Sequence, residues 1–240
     1  DVHYISGASV IFGVPEYPET LEKVVSKHKI KVHFGANVTA INGEAKSVTF
    51  ENREHHDHVR LKFSSIGASC YGITEDEKDD TISNVTLNFD ICHAVPPQSA
   101  PDFIKESPLR DQANPLGYVE IDKNTMQHSR FPNVFALGDC TNAPCSKTGA
   151  AIRKQAPVVV ENLLALLDNQ APAAVYDGYS ACPIPTQYGK LMLAEFDYNN
   201  QPMETFPFDQ SKERLSMYLL KREILPRLYW GAIIRGRMQG

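Results

Sequence analysis

The sequence predicts an α/β fold, and three observations predict it. Short β-rich runs alternate with amphipathic helical segments along most of the chain. Apolar residues make up 42% and charged residues 22% of the 240 residues, a balance that supports a real core and argues against global disorder. One strand-like run, NVFALGDC, delivers a glycine and an aspartate straight into a long apolar helix. No run reaches the roughly 18 uncharged apolar residues that a membrane-spanning helix requires.

The elements follow in order. The chain opens directly into an apolar run with no basic leader and no signal-peptide pattern, so the sequence predicts that it starts inside a domain. Residues 3–12 alternate loosely as a strand. EYPETLEKVVSKHKI reads as a short helix, because Leu21, Val24 and Val25 recur at helical spacing between lysines and glutamates. KVHFG, NVTAINGE and KSVTFEN are β-rich runs broken by Gly35 and by Asn42-Gly43, a hairpin signal. This β-α-β-β-β order is that of a nucleotide-binding domain with an antiparallel appendage.

Residues 52–86 are charged and lack apolar periodicity, so they read as a surface insertion holding one weak strand, VRLKF. His55, His56, Asp57 and His58 within it read as a solvated loop and not as a metal site. NFDICHAVPP is expected to be a strand that ends at a double proline, and the Pro-rich stretch 98–116 to be a crossover between domains. GYVEID and NVFALGDC follow as strands, then a helix from about Thr148 to Leu167 that Pro157 should kink. YSACPIPT and KLMLAEFD read as two further strands. The expected domains are 1–95, 96–185 and 186–240, and no internal repeat is visible.

Charge and cysteines narrow the chemistry. Residues 211–240 hold seven basic side chains against two acidic ones, a net of +5 on a chain whose total is −5. A basic segment that interleaves Leu215, Tyr218, Leu219, Tyr229 and Trp230 has the composition of an in-plane membrane helix. Its alternative is an ordinary core-packing helix. Five cysteines, Cys70, Cys92, Cys140, Cys145 and Cys182, show neither a disulfide framework nor zinc spacing. At the end of NVFALGDC, Gly138 allows close backbone approach and the Asp139 carboxylate can accept hydrogen bonds from a polyol. The helix start behind them offers unpaired N–H groups to an electron-rich ligand. The plain alternative is a buried turn whose aspartate caps the helix.

FPNVFALGDC resembles the second flavin-binding motif of the two-dinucleotide-domain flavoproteins, the glutathione-reductase-like superfamily. CHAVPPQSAPDFIKESPL, PCSKTGAA and DGYSACPIPTQYGKLMLAEFDYNNQPMETFPFDQSKERLSMYLLKREILPRLYW are similar to the eukaryotic, mitochondrial type of sulfide:quinone oxidoreductase. The resemblance implies a FAD/NAD(P)-binding Rossmann-like three-layer fold, incomplete at its N-terminus, with an amphipathic helical segment at its C-terminus. It implies FAD as cofactor, with Gly138, Asp139, Lys147, Thr148, Gly149 and Lys221 as binding residues, the two lysines as cations beside the flavin ring. It implies Cys182 as the catalytic cysteine that carries a persulfide. Hydrogen sulfide, a quinone, a sulfane acceptor such as glutathione or sulfite, and a membrane surface are the implied partners, with no nucleic acid. The implied location is peripheral, on the mitochondrial inner membrane.

The family's GxGxxG turn is not found, and its first redox cysteine lies upstream of the point matching Asp1, so the chain alone is expected to be inactive. Cys145 stands where the family usually has threonine, Cys140 matches it as packing, and His93 matches as a proton shuttle or a core histidine. Two rivals stay open: a reductase like the type II NADH dehydrogenases, which would not need Cys182, and a catalytically inactive module that binds membrane surfaces.

Overall fold

The strand–helix–strand order at the start of the chain forms as expected. β1 (His3–Ile5) pairs in parallel with β2 (Lys31–His33), and α1 (Pro18–Lys27) is the crossover between them. α1 opens on a proline, whose missing N–H needs no partner in a first turn, and it buries Leu21. β1 is shorter than the 3–12 run. The chain bends after Ser6, and Gly7 sits so close to Asn37 that a Cβ there would lie 2.4 Å from the side-chain oxygen. The computed structural model describes residues 1–54 and 81–238, in two compact units, Asp1–Pro96 and Pro97–Gly240.

The first unit is completed by an antiparallel sheet of β3 (Ala36–Asn42), β4 (Ser47–Glu54) and β5 (Thr81–Asn88), in that order. The Asn42-Gly43 hairpin forms, and Asn42 Oδ1 accepts from the Ala45 N–H at 2.9 Å. β5 corrects the sequence reading, since its residues lie at the end of the stretch assigned to an insertion. Exposure alternates along it: Ser83, Val85 and Leu87 are half-buried, while Asn84, Thr86 and Asn88 are exposed. That period of two is a strand signal, hidden by the charged run before it. The expected strand NFDICHAVPP does not form. The ladder ends at Asn88, and residues 91–99 are exposed, with Pro96 and Pro97 unable to donate to a neighbouring strand. His55, His56, Asp57, His58, Cys70 and the VRLKF run lie outside the described residues.

In the second unit, α2 (Asp102–Lys105) precedes the long α3 (Gly149–Leu167) and an antiparallel hairpin of β6 (Ser180–Gln187) and β7 (Lys190–Phe196). Tyr118, Val119, Met126, Tyr176, Leu191 and Met217 belong to one buried cluster there. The expected strands GYVEID and NVFALGDC shrink to isolated bridges, Val119 with Arg110 and Thr141, and Phe135 with Gln127. A ladder needs a neighbour that presents a row of N–H and C=O groups. Among the described residues each run meets one at only one or two positions.

α3 begins one residue later than expected and runs unbroken through Pro157. Its buried Ala151, Gln155, Val158 and Asn162 recur at helical spacing. Asn162 Nδ2 donates to the carbonyls of Thr125 and Ala174, and its Oδ1 accepts from the Ala174 N–H, which staples the loop after the helix. In β6, Pro183 and Pro185 share one parity, so both missing N–H groups fall on the edge turned away from β7. The expected domain boundary at 185/186 falls inside β6.

The C-terminal segment is helical but not one helix. α4 (Leu215–Leu219) passes through a π-helical turn, Leu220–Ile224, into α5 (Leu225–Gly231). Pro226 stands in the first turn of α5, where no donor is needed, and the wider turn before it absorbs the lost bond. Among the described residues no helix is long and apolar enough to cross a membrane. The architecture mixes helix and strand, consistent with the predicted α/β class.

Candidate functional site

Two groups of the expected site residues assemble in the second unit. The first surrounds the start of α3. NVFALGDC ends in a 3₁₀ turn, Gly138–Cys140. Gly138 has φ +75°, and a Cβ on it would sit 3.1 Å from Ile152 Cγ1 and Cδ1, so any other residue would strain the backbone and press on Ile152. The Thr141 hydroxyl donates back to the Gly138 carbonyl at 2.9 Å. Asp139 between them is exposed.

The alternative in which Asp139 caps the helix is overturned. Thr148 is the N-cap: its backbone is extended and its hydroxyl accepts from the Ala151 N–H at 3.1 Å. The Asp139 carboxylate is therefore not consumed by the helix end. Gly149 opens α3 with nothing within 4 Å of where its Cβ would be, so the helix start faces open space.

Lys147 turns inward. Its ammonium donates to the Thr141 carbonyl at 2.7 Å and stands 3.9 Å from the centre of the Tyr118 ring. Burial pulls its pKa down, while Cys145, Asp139 and Cys140 pull it up. Tyr118 is pushed up by burial and by the Asp139 charge. Lys147 and Asp139 thus act on each other electrostatically.

The second group is Cys182 and Lys221. Cys182 lies in β6 opposite Ala194. Burial pushes its thiol up, and the Lys221 ammonium opposes that. Lys221, in the π turn, donates to the carbonyl of Pro183, the residue after Cys182, at 3.1 Å. A residue from the far C-terminus therefore meets the strand that carries the thiol.

One strand residue links the groups. Ser180 donates to the Ser146 carbonyl at 3.4 Å, in the loop between Cys145 and Thr148. Side chains alternate along a strand, so Ser180 and Cys182 share the hairpin face turned to that loop. Their separation along the strand is about 7 Å. Asp139, Lys147, Thr148 and Gly149 thus lie around the start of α3, one corner of the fold, and the hairpin that carries Cys182 touches the loop before α3 through Ser180. His93 is exposed, in irregular chain, in the first unit.

Residues that the sequence reading passed over complete the corner. Gln155, 1% exposed, accepts from the Gly138 N–H at 2.7 Å and reaches Cys145 Sγ at 3.6 Å. Burial pushes the Cys145 thiol up, against Tyr176, Lys147, Ser180 and Gln155. A glutamine on the buried stripe of α3, beside Ala151 and Val158, was the signal in the sequence for this contact.

A scan against models of protein families matches none. The chain is 36% identical over its whole length to a protein of Mus musculus named mitochondrial sulfide:quinone oxidoreductase. It is 37% identical over 98% of its length to the protein of that name from Dictyostelium discoideum, and 34% identical over 98% to the one from Schizosaccharomyces pombe. Over its whole length, the chain is similar to the C-terminal part of the mitochondrial sulfide:quinone oxidoreductases.

The chain spans about half the length of these relatives, between 45% and 47%. Among solved structures, a chain in the cryo-EM structure of the Tetrahymena thermophila mitochondrial ATP synthase shares the fold. Its TM-score is 0.68 at 17% identity, over 94% of this chain and 48% of that one.

Proposed function

We propose that this chain is the half of a FAD-dependent sulfide:quinone oxidoreductase that carries the persulfide cysteine, Cys182. The observation that carries the reading is identity of 34–37% along essentially the whole chain to three proteins of that name. The Rossmann-like three-layer fold for FAD or NAD(P) belongs to the same reading, supported by the parallel β1–α1–β2 unit and the glycine turn before α3.

The residues at the corner fit a flavin. Gly138, at φ +75°, gives the turn the left-handed backbone that presents Asp139, with Ile152 packed against it. Asp139 is exposed, and no hydrogen bond among the described residues engages its carboxylate. The open start of α3 at Gly149 offers N–H groups and the positive end of a 19-residue helix. Asp139 would hold ribityl hydroxyls, and Thr148 and Gly149 would face the ring's electron-rich edge. Lys147 and Lys221 would supply positive charge nearby. FAD, when bound, supplies two-electron chemistry between sulfur and a quinone.

The chain's own part is sulfur chemistry at Cys182. In the oxidised enzyme Cys182 pairs in a disulfide with the family's first redox cysteine, which lies in the half that this chain does not match. Hydrosulfide attacks Cys182 Sγ. A new S–S bond forms there as a persulfide, the old one breaks, and the other cysteine leaves as a thiolate with the electron pair. A small acceptor such as glutathione or sulfite then takes the sulfane sulfur. Lys221 beside Pro183 holds positive charge where the anionic nucleophile arrives.

The C-terminal helices suit a membrane surface, from which a quinone can enter. Leu215, Leu219, Ile224, Tyr229 and Trp230 are exposed beside Lys221, Arg222 and Arg227, while Met217 anchors the segment in the core. Peripheral attachment to the mitochondrial inner membrane follows from the same reading.

In a protein of the relatives' full length, the flavin absorbance bleaches on adding sulfide and returns on adding quinone. Bleaching by NADH and not by sulfide would transfer the chain to the NADH dehydrogenase type. Asp139→Ala in that protein lowers FAD affinity by about tenfold, because a charged acceptor to sugar hydroxyls contributes roughly 1.5–3 kcal/mol. Flavin retained equally after dialysis of the variant would remove Asp139 from the site.

A further inference from the structure

We infer that Gln155 is the positioning residue of the Gly138–Cys140 turn: its buried amide, caught between the Gly138 N–H and the Cys145 thiol, fixes how Asp139 is presented. That the turn serves a flavin rests on the reading above; the clamp itself rests on geometry alone.

Three contacts make the case. Gln155 Oε1 accepts from the Gly138 N–H at 2.7 Å, which assigns the oxygen to that side of the amide. The NH₂ group is then left to point at Cys145 Sγ, 3.6 Å away. The side chain is 1% exposed, and a buried amide is tolerated only when its polar ends are satisfied. Ile152, one turn earlier on the same face of α3, fills the space beside Gly138 that a Cβ would need. A single helix face therefore grips the turn twice, once by shape and once by hydrogen bond. The turn needs this grip because Gly138 sits at φ +75° and its N–H has no sheet partner among the described residues.

A residue that only filled volume would be replaceable by an apolar side chain of similar size. Here such a replacement strands the Gly138 N–H and frees the turn to reorient. Asp139, next in sequence, moves with it.

The test reads amide hydrogen exchange on the 240-residue chain and FAD affinity, by quenching of flavin fluorescence, on a protein of the relatives' full length. Three variants are compared: Gln155→Leu, Gln155→Asn and Gln155→Glu. Leucine removes both hydrogen bonds, and asparagine keeps the amide but falls one methylene short of Gly138. Glutamate keeps an acceptor at the right reach. With leucine or asparagine, exchange at Gly138 speeds up by about tenfold or more, and FAD binding weakens by a similar factor. Amides around Asn162, two turns further along α3, keep wild-type rates. Glutamate holds Gly138 exchange within about threefold of wild type.

If leucine does not fold, asparagine decides. Unchanged Gly138 exchange in the asparagine variant overturns the clamp, as does acceleration spread equally to the Asn162 region. Faster Gly138 exchange with unaltered FAD affinity overturns the positioning role. Wild-type protein that takes up no FAD sinks the flavin reading instead, and the exchange result still decides whether the clamp exists.

Discussion

Cys182→Ser abolishes sulfide-dependent quinone reduction in a protein of the relatives' full length and leaves flavin binding intact. Serine is nearly isosteric with cysteine, and Cys182 sits half-buried on β6 opposite the small Ala194, so the hairpin keeps its packing. None of the residues expected to hold flavin hydrogen-bonds to the Cys182 side chain, so the spectrum of the bound flavin survives. A hydroxyl forms no disulfide and holds no persulfide, so the sulfane sulfur has no carrier. Turnover falls by several orders of magnitude, on the order of the loss seen when a covalent nucleophile is removed. Mass spectrometry of the wild type after sulfide, without acceptor, shows added sulfur on the peptide containing Cys182. Near-normal turnover of the variant, or added sulfur at Cys140 or Cys145, refutes the assignment. Reactivity toward alkylating agents carries a second signature. Burial holds the Cys182 thiol above the usual range and Lys221 pulls it back, so alkylation accelerates as pH rises, and Lys221→Met slows it at a fixed pH below that range.

Glu195→Ala is the substitution expected to cost most in stability. Glu195 is 2% exposed in β7 and lies opposite Ala181, so it points to the hairpin face away from Cys182. Its carboxyl group accepts from the Tyr179 hydroxyl, from the Thr205 N–H at 2.9 Å and from the Gln210 side-chain amide at 2.7 Å. The Thr205 hydroxyl adds a further donor. These bonds fasten the loop 197–210 across the hairpin, and alanine leaves the buried donors of Tyr179 and Gln210 without their acceptor. The cost is about 3–5 kcal/mol, a large share of the 5–15 kcal/mol typical of a folded protein. Thermal unfolding followed by circular dichroism shifts down by roughly 10 °C. A shift below about 2 °C would mean that the network relaxes onto water. Because Glu195 faces away from the thiol, alkylation of Cys182 in the folded variant stays at the wild-type rate.

What the sequence determined alone is what depends on near neighbours. The α3 start was legible to within one residue because small residues and an apolar run follow Thr148 directly, while its capping by Thr148 emerged only from the structure. The β6–β7 hairpin, the Asn42-Gly43 turn and α1 follow from local periodicity and turn chemistry in the same way. The short motif around Gly138 and Asp139, and the longer strings around Cys182, also pointed to the family that the comparisons support.

Tertiary structure decided everything that depends on a distant partner. GYVEID and NVFALGDC have strand composition, yet a strand exists only where another chain segment offers a matching row of hydrogen bonds, and here each finds isolated bridges. β5 was hidden because its alternation is weak beside the charge run that precedes it, and pairing with β4 revealed it. Lys147 was expected as a cation beside a flavin ring, and its contacts with Thr141 and Tyr118 arise because an ammonium on a flexible stem takes the nearest carbonyl and ring. The meeting of Lys221 with the Cys182 strand spans 38 residues, and that of Gln155 with Gly138 spans 17. No periodicity encodes such contacts, since they arise only when the packing of α3, the hairpin and the C-terminal helices closes the loops between them.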